Sequence, residues 1–450
     1  MTYPGKLTAF ELSMLLEDAG NSMTSMLILQ ARGSLDTDDF TKAVVAALGN
    51  HPLLSATVRR DRVPLNSEWV PRPVSADCVR VIPLEADYRS PWEKPVNLEV
   101  ESGTRILVRH SADRSEIRFC IHHSCCDGLG GLRFVEDVLI RYDGLRGGDS
   151  APVEFDRLAL KERDVYPAEK LPLLKRIQKS LIVRPRRIRQ LLFSAPAEIA
   201  RGRRNSEVHL PDAADEKHFV ETMESIPCRT FSVLESNAIK RYARDRKLSL
   251  NNYMISELIA GLQQYNQDSG SKADGPVRIL VPFSLRDRRH RKMSAANCVS
   301  MAFIEADRKA QQDGLAEEIE SQFQHICKWQ LQYAWLQSTR TILASPFLTR
   351  FLMQREHRRI ATTVFSNLGR MFKRLPRNEE GNLVIGDLEI ESVRPAVPVH
   401  GNVAVTFASF FYANRLGIAM NYDRRKLKHE QALELLDFYF ERLSRMAHST

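Results

Sequence analysis

Residues 117 to 139 read Ile117-Arg-Phe-Cys-Ile-His-His-Ser-Cys-Cys-Asp-Gly-Leu-Gly-Gly-Leu-Arg-Phe-Val-Glu-Asp-Val-Leu139. Ile117, Phe119 and Ile121 alternate with Arg118, Cys120 and His122, which predicts a strand with one face on a core. After Gly128 the apolar positions become Leu129, Leu132, Val135, Val138 and Leu139, a spacing that only a helix gathers on one side. Asp127 stands just before that helix, where a carboxylate caps free amides. A histidine pair, a carboxylate and a glycine therefore share a short loop between two rigid elements, a position suited to catalysis.

His122-His123-Ser124-Cys125-Cys126-Asp127-Gly128 resembles the HHxxxDG signature of CoA-dependent acyltransferases. That superfamily includes chloramphenicol acetyltransferase, nonribosomal-peptide condensation domains, and wax-ester, plant and polyketide-associated acyltransferases. The resemblance implies an α/β fold of two related halves, each a mixed sheet flanked by helices, with an active-site tunnel between them. It implies that His123 is the general base. It also implies that Asp127 turns away toward an arginine of the other half and holds the loop in shape, with His122 and Gly128 as structural members of that loop.

Further stretches extend the resemblance over nearly the whole chain. His51-Pro52-Leu53-Leu54 is similar to an early His-Pro-x-Leu-Arg stretch, with Ser55 in place of the arginine, and the segment to Val58 is expected as a strand with His51 in a structural role. Val277, Ile279 and Val281 alternate into Pro282-Phe283-Ser284-Leu285-Arg286, which resembles the stretch whose arginine meets the motif aspartate. Arg286 is thus the expected partner of Asp127, with Arg288, Arg289 and Arg291 solvated. Asn297-Cys298-Val299-Ser300 resembles a Gly-Asn-x-x-Ser stretch, Ala296 replacing its glycine. Val364-Phe365-Ser366-Asn367-Leu368-Gly369 resembles a strand that approaches the tunnel, so Ser366 and Asn367 are tunnel candidates; Asn367 either positions a reacting group or satisfies backbone.

A chain of 450 residues exceeds one ordinary core, and 43% hydrophobic with 27% charged residues is a globular make-up. The expected division is an N-terminal half over 1–156, a basic helical connector over 157–227 and a C-terminal half over 228–450. The net charge of +9 sits almost wholly in residues 157 to 204, where 14 Lys/Arg face four acids. That segment reads as two short amphipathic helices broken by Pro185, either a solvated connector or, through 171–193, a peripheral membrane contact. Without interleaved aromatic residues or a binding motif it is not read as a nucleic-acid surface. Seven cysteines without repeated spacing suggest free thiols. With no signal-peptide pattern at the N-terminus and no run of membrane-spanning length, the expected location is cytoplasmic, with membrane association open.

Acyl transfer from a thioester requires the acceptor to lose a proton as it attacks, and a neutral imidazole suits that at neutral pH. His123 supplies that function on this reading, with no covalent acyl-enzyme. Cys125 and Cys126 raise two rivals. A metal site is not expected, because adjacent side chains diverge and no second ligand cluster stands elsewhere. A cysteine nucleophile would need a depressed thiol pKa and an accessible sulfur. Gly147-Gly148-Asp149-Ser150 resembles a phosphopantetheine attachment sequence but runs into Pro152 and is read as a turn. The implied partners are an acyl-CoA or phosphopantetheine-linked acyl donor, including an acyl carrier protein, and an alcohol or amine acceptor, with no permanently bound cofactor. Two other functions stay open: a freestanding condensation-like amide-forming domain, and a non-catalytic carrier- or acyl-binding module. The expected arrangement is a freestanding transferase, with no carrier or adenylation segment after residue 450.

Overall fold

The computed structural model describes residues 5–18, 22–86, 95–165, 195–200, 226–270, 275–307, 314–345, 347, 349, 360–400 and 403–448. The first part of the chain forms α1 (Ala9–Glu17), β1 (Thr24–Arg32), α2 (Thr37–Leu48), β2 (Thr57–Arg59), β3 (Glu68–Val70), β4 (Val79–Pro83), β5 (Thr104–His110), β6 (Arg114–His122) and α3 (Gly128–Leu145). The second part forms β7 (Cys228–Thr230), α4 (Val233–Asp245), α5 (Leu250–Asp268), β8 (Val277–Ser284), β9 (Val299–Ala306), α6 (Leu315–Lys328), α7 (Gln332–Leu343), β10 (Thr363–Arg370), β11 (Leu383–Ile385), β12 (Leu388–Ala396), β13 (Val405–Tyr412), β14 (Arg415–Tyr422) and α8 (His429–His448).

Two six-stranded mixed sheets carry the architecture, in the orders β11-β12-β1-β6-β5-β4 and β7-β14-β13-β10-β8-β9. In the first, β4 and β5 run parallel and the other pairs antiparallel. In the second, β10 runs parallel to both β13 and β8. The alternation in β6 puts Ile117, Phe119 and Ile121 against Phe40 and Val44 of α2 and Phe134, Val135 and Val138 of α3. Each such side chain, when fully buried, contributes roughly 1.5–3 kcal/mol. The second sheet has two apolar faces. Ile279, Val281, Ile304, Phe365 and Phe407 meet α5 and α8. Leu280, Met301, Phe303 and Val364 instead meet Phe10 and Met14 of α1 and Leu336 of α7. The first helix of the chain therefore lies on the sheet of the second half.

Sequence order places residues 383–396 in the second half, but pairing places them in the first sheet. β12 covers the outer edge of β1 from Met26↔Ala396 to Arg32↔Glu389, so the boundary at 228 divides the chain and not the sheets. This hairpin turns at Gly386, whose φ of +54° favours glycine. The Gly386 N–H donates to Asp143 of α3 at 3.1 Å, and Arg146 pairs with Asp36 and with Asp387 beside that turn.

The strand expected from His51 to Val58 is shorter. Residues 52–55 form turns and only Thr57–Arg59 pairs as a strand, because the amides of His51, Leu54 and Ala56 bond back three residues to Leu48, His51 and Leu53. Leu53, Leu54 and Ala56 are all buried, so no in-and-out alternation exists for a strand to use. Of the basic connector, Arg157–Asp164 is a 3-10 helix whose Arg163 pairs, buried, with Glu11 of α1 at 2.7 Å. Residues 171–193, expected as amphipathic helices and as a membrane contact, lie outside the described residues. Among the described residues no helix is long and apolar enough to cross a membrane.

Candidate active site

The two histidines fall where β6 ends, and the structure gives them different surroundings. His122 is fully buried; its Nδ1 accepts from the Ser124 amide at 3.1 Å and its Nε2 lies 3.5 Å from Asp18, the residue closing α1. It braces the loop. The His123 amide donates to the Met23 carbonyl at 2.7 Å, and the carbonyls of His123 and Ser124 both accept from Asn297 Nδ2, at 2.9 and 2.8 Å. The His123 ring packs against Phe10 of α1, with centroids 6.2 Å apart. The loop is thus fixed from its own sheet on one side and from the 293–298 segment of the other half on the other.

Asp127 turns away from His123 and into that other half. One oxygen, Oδ1, accepts from the Gly130 amide at 2.9 Å and so caps α3; Oδ2 accepts from the Cys298 amide at 2.8 Å. Arg286 closes on both oxygens with two bonds of 2.8 Å and donates from Nη2 to the Ala296 carbonyl at 2.9 Å. Burial pushes the Asp127 carboxyl upward, but Arg286 and the two amides outweigh it and hold the group below the usual carboxylate range. Burial acts against the Arg286 charge in the same way, and Asp127 reverses it. Arg288 and Arg291 are exposed, and Arg289 pairs with Asp287 and Glu162.

Three more contacts clamp the halves around this pair. The Arg133 guanidinium of α3 donates to the carbonyls of His290, Arg291 and Met293. His51 Nδ1 accepts from the Ala295 amide at 2.8 Å, with its Nε2 3.5 Å from the buried Asp137 of α3. Gly130 lies so close to the 296 backbone that an added Cβ would stand 2.8 Å from the Ala296 carbonyl oxygen and 3.0 Å from its nitrogen. At Gly128 the same atom would meet only the tip of Leu368, 2.7 Å away. Leu368 belongs to β10, where the pairing with β13 slips between Asn367 and Gly369 and Gly369 takes φ +65°. β10 therefore reaches the histidine loop through Leu368. Asn367 does not: its amide donates to Asn251 of α5 at 3.1 Å and accepts from the Gly369 amide at 2.9 Å, a backbone-satisfying arrangement. Ser366 stands half-buried beside it.

Burial drives the His123 pKa down to about 4, helped by the nearby His400 and His122 and opposed by the residue's own backbone and by Asp127. The ring is accordingly neutral at neutral pH. His400 is itself buried, but Glu17, the last residue of α1, holds its Nδ1 at 2.8 Å and raises its pKa against the burial effect. Sequence reasoning passed over Glu17 and His400. The acidic pair Glu17-Asp18 at the end of a capped helix was the one available signal. Burial raises the thiols of Cys125 and Cys126 far from ionisation, which removes the thiolate that a nucleophilic role needs. Among the described residues no group of His, Cys, Asp or Glu side chains is placed to hold a metal ion.

No family model and no curated protein matches the sequence. Solved structures do. The trichothecene 15-O-acetyltransferase TRI3 from Fusarium sporotrichioides is 13% identical, with a TM-score of 0.70 over 98% of this chain and 94% of its own. The starter condensation domain of rhizomide synthetase, crystallised with C8-CoA, is 14% identical, with a TM-score of 0.67 over 98% and 94%. Polyketide synthase associated protein 5 from Mycobacterium tuberculosis is 16% identical, with a TM-score of 0.61 over 99% and 98%. At such identities the likeness establishes the fold.

Proposed function

We propose that this chain, which has the two-halved fold of condensation domains and CoA-dependent acyltransferases, transfers an acyl group from a thioester to a hydroxyl or amine, with His123 as general base. The observation that carries this reading is the neutral, buried His123 on a loop that Asn297, and Asp127 through Arg286, lock from the opposite half. As the acceptor oxygen or nitrogen attacks the thioester carbonyl, its proton passes to the His123 imidazole. When the tetrahedral intermediate collapses, the C–S bond breaks, and the imidazolium returns the proton to the departing sulfur. A ring with a pKa of about 4 is a weaker base than free imidazole, but it is not lost to protonation at neutral pH and gives its proton readily to a thiolate. No acyl-enzyme is needed. The donor, acyl-CoA or an acylated carrier protein, is a substrate and not a resident cofactor. Asp127 positions the loop and takes no part in proton transfer.

The test is a screen of acyl-CoAs and acylated carriers against alcohols and amines, with product detected by mass. On the productive pair, His123→Ala lowers turnover by ~10²–10⁴ without lowering stability. Undiminished transfer in that variant overturns the mechanism.

A further inference from the structure

Helix α1 gives one contact to each of three histidines. Its Phe10 packs on the His123 ring, Glu17 holds His400 Nδ1 at 2.8 Å, and Asp18, which closes the helix, lies 3.5 Å from His122 Nε2 and accepts from the Met23 amide at 2.7 Å. His400 stands in the turn after β12, where the Val403 amide bonds back to its carbonyl at 3.0 Å. Val399 and Val403, on either side of it, are buried in one cluster with Phe10, Met14 and Met23, and the Met23 carbonyl is the one that holds the His123 amide. Packing on one helix therefore seats His400 beside the proposed base, although the chain separates them widely. The electrostatics agree: among the charges acting on His123, that of His400 is the largest, ahead of Asp127 and His122, which are four residues and one residue away in sequence.

The hydrogen bonds of the buried histidines distinguish their protonation. His51 Nδ1 accepts from the Ala295 amide and His122 Nδ1 from the Ser124 amide, so each of those nitrogens is bare. His400 Nδ1 faces a carboxylate and must carry a hydrogen. Burial alone would keep this ring neutral, but Glu17 reverses the effect and raises its pKa, so Nε2 carries a hydrogen as well. Only 10% of the side chain remains exposed, and among the described residues Nε2 has no hydrogen-bond partner. A charged N–H so far withdrawn from water calls for an acceptor.

The other donors near the loop are already engaged. Arg286 is occupied by Asp127 and the Ala296 carbonyl, Arg133 by the carbonyls of His290, Arg291 and Met293, and the Asn297 amide by the carbonyls of His123 and Ser124. Attack on a thioester turns the carbonyl oxygen into an oxyanion, and a neutral His123 occupied with the acceptor proton does nothing for that charge. A fixed donor in a water-poor site stabilises it most.

We propose that His400, anchored through Nδ1 by Glu17, donates from Nε2 to the thioester carbonyl oxygen and to the oxyanion that forms from it. The hydrogen stays on His400; the acceptor proton still passes to His123 and on to the departing sulfur. This rests on the acyl-transfer reading and adds a catalytic residue to it. The first arm of the experiment uses a ketone, octanoyl-pantetheine with a methylene in place of sulfur and an isotope label at the carbonyl carbon, which binds as a thioester would and cannot be cleaved. Infrared difference spectra should show its carbonyl stretch lowered on binding to the wild type, less lowered in Glu17→Gln, and near its value in water in His400→Phe. The second arm is kinetic. With the productive pair, His400→Phe should lose ~10²–10³ in kcat with little change in KM, Glu17→Gln should lose less, and His400→Gln should recover part of the loss because its amide still donates. Glu17 keeps 34% of its side chain exposed, so neither change strands a deeply buried carboxylate, and urea melts should stay close to the wild type. An unlowered stretch in the wild type, the same stretch in His400→Phe, failure of the ketone to bind, or equal kcat in His400→Phe and wild type would each overturn the inference. The spectra are read without turnover, so a lowered stretch in a chain that transfers no acyl group sinks the proposed reaction and not the carbonyl donor.

Discussion

Breaking the ion pair between Asp127 and Arg286 from either side should not cost the same. Both side chains are largely withdrawn from water, at 6% and 17% exposure, so removing one partner strands the other, which typically costs ~3–5 kcal/mol. In Asp127→Ala, Arg286 keeps only the Ala296 carbonyl, and the amides of Gly130 and Cys298 lose their acceptor. The lost helix cap adds ~1 kcal/mol, which puts this variant at the top of the range or above it. In Arg286→Ala the carboxylate keeps both amides, which places that variant near the bottom. The double variant should lose less than the sum by ~0.5–3 kcal/mol, the coupling expected of groups in direct contact. Urea titrations of the wild type, both single variants and the double variant give these values, provided the slope of the transition is constant. Acyl transfer should fall in step, since the pair shapes the loop that carries His123. Additive losses, or equal losses in the two single variants, would refute the reasoning.

On the proposed mechanism, activity should hold level through neutral pH and fall only as pH drops toward about 4, because the proposed base is the neutral His123 ring and its pKa is depressed. His400→Gln removes a neighbouring positive charge and leaves Glu17 unpaired, so the acid limb of a pH–rate profile should move upward; an unmoved limb would mean that His400 does not act on the base. Gly130→Ala should destabilise by ~1–3 kcal/mol in thermal or urea melts because its Cβ would meet backbone, whereas Gly128→Ala should cost less because the Leu368 tip can turn aside; the reverse order would contradict the packing described. Brief treatment of the native protein with iodoacetamide should label Cys327, which is exposed, and leave Cys125 and Cys126 unmodified, as peptide mass mapping would show.

The histidine loop was legible because its determinants are local. A period of two, a cap and a period of three to four occupy 23 consecutive residues, and the structure reproduces them as β6, Asp127 and α3. Arg286 was legible through the alternation that leads into it, together with a resemblance. What escaped depends on contacts between distant positions. Glu17 and His400 are separated by 383 residues, and neither stands in a pattern that periodicity can single out. The pairing of residues 388–396 with β1 was hidden for the same reason: alternation marks a strand but does not say which edge it covers. The turn at 52–55 was misread because three apolar residues in four look like a buried strand until their amides are followed to their acceptors.

The exchanged hairpin also sets an order of events during synthesis. Arg32 at the end of β1 bonds Glu389 of β12, 357 residues later. At ~5–20 residues per second the ribosome takes about 20–70 s to deliver that partner. Until then β1 has β6 on one side and a bare row of backbone donors and acceptors on the other, the kind of edge that recruits foreign strands. The sheet that carries the histidines therefore cannot be completed before residue 396 is made, although its first strand is made near the start, and a nascent chain stalled before that point holds the motif on an unfinished sheet.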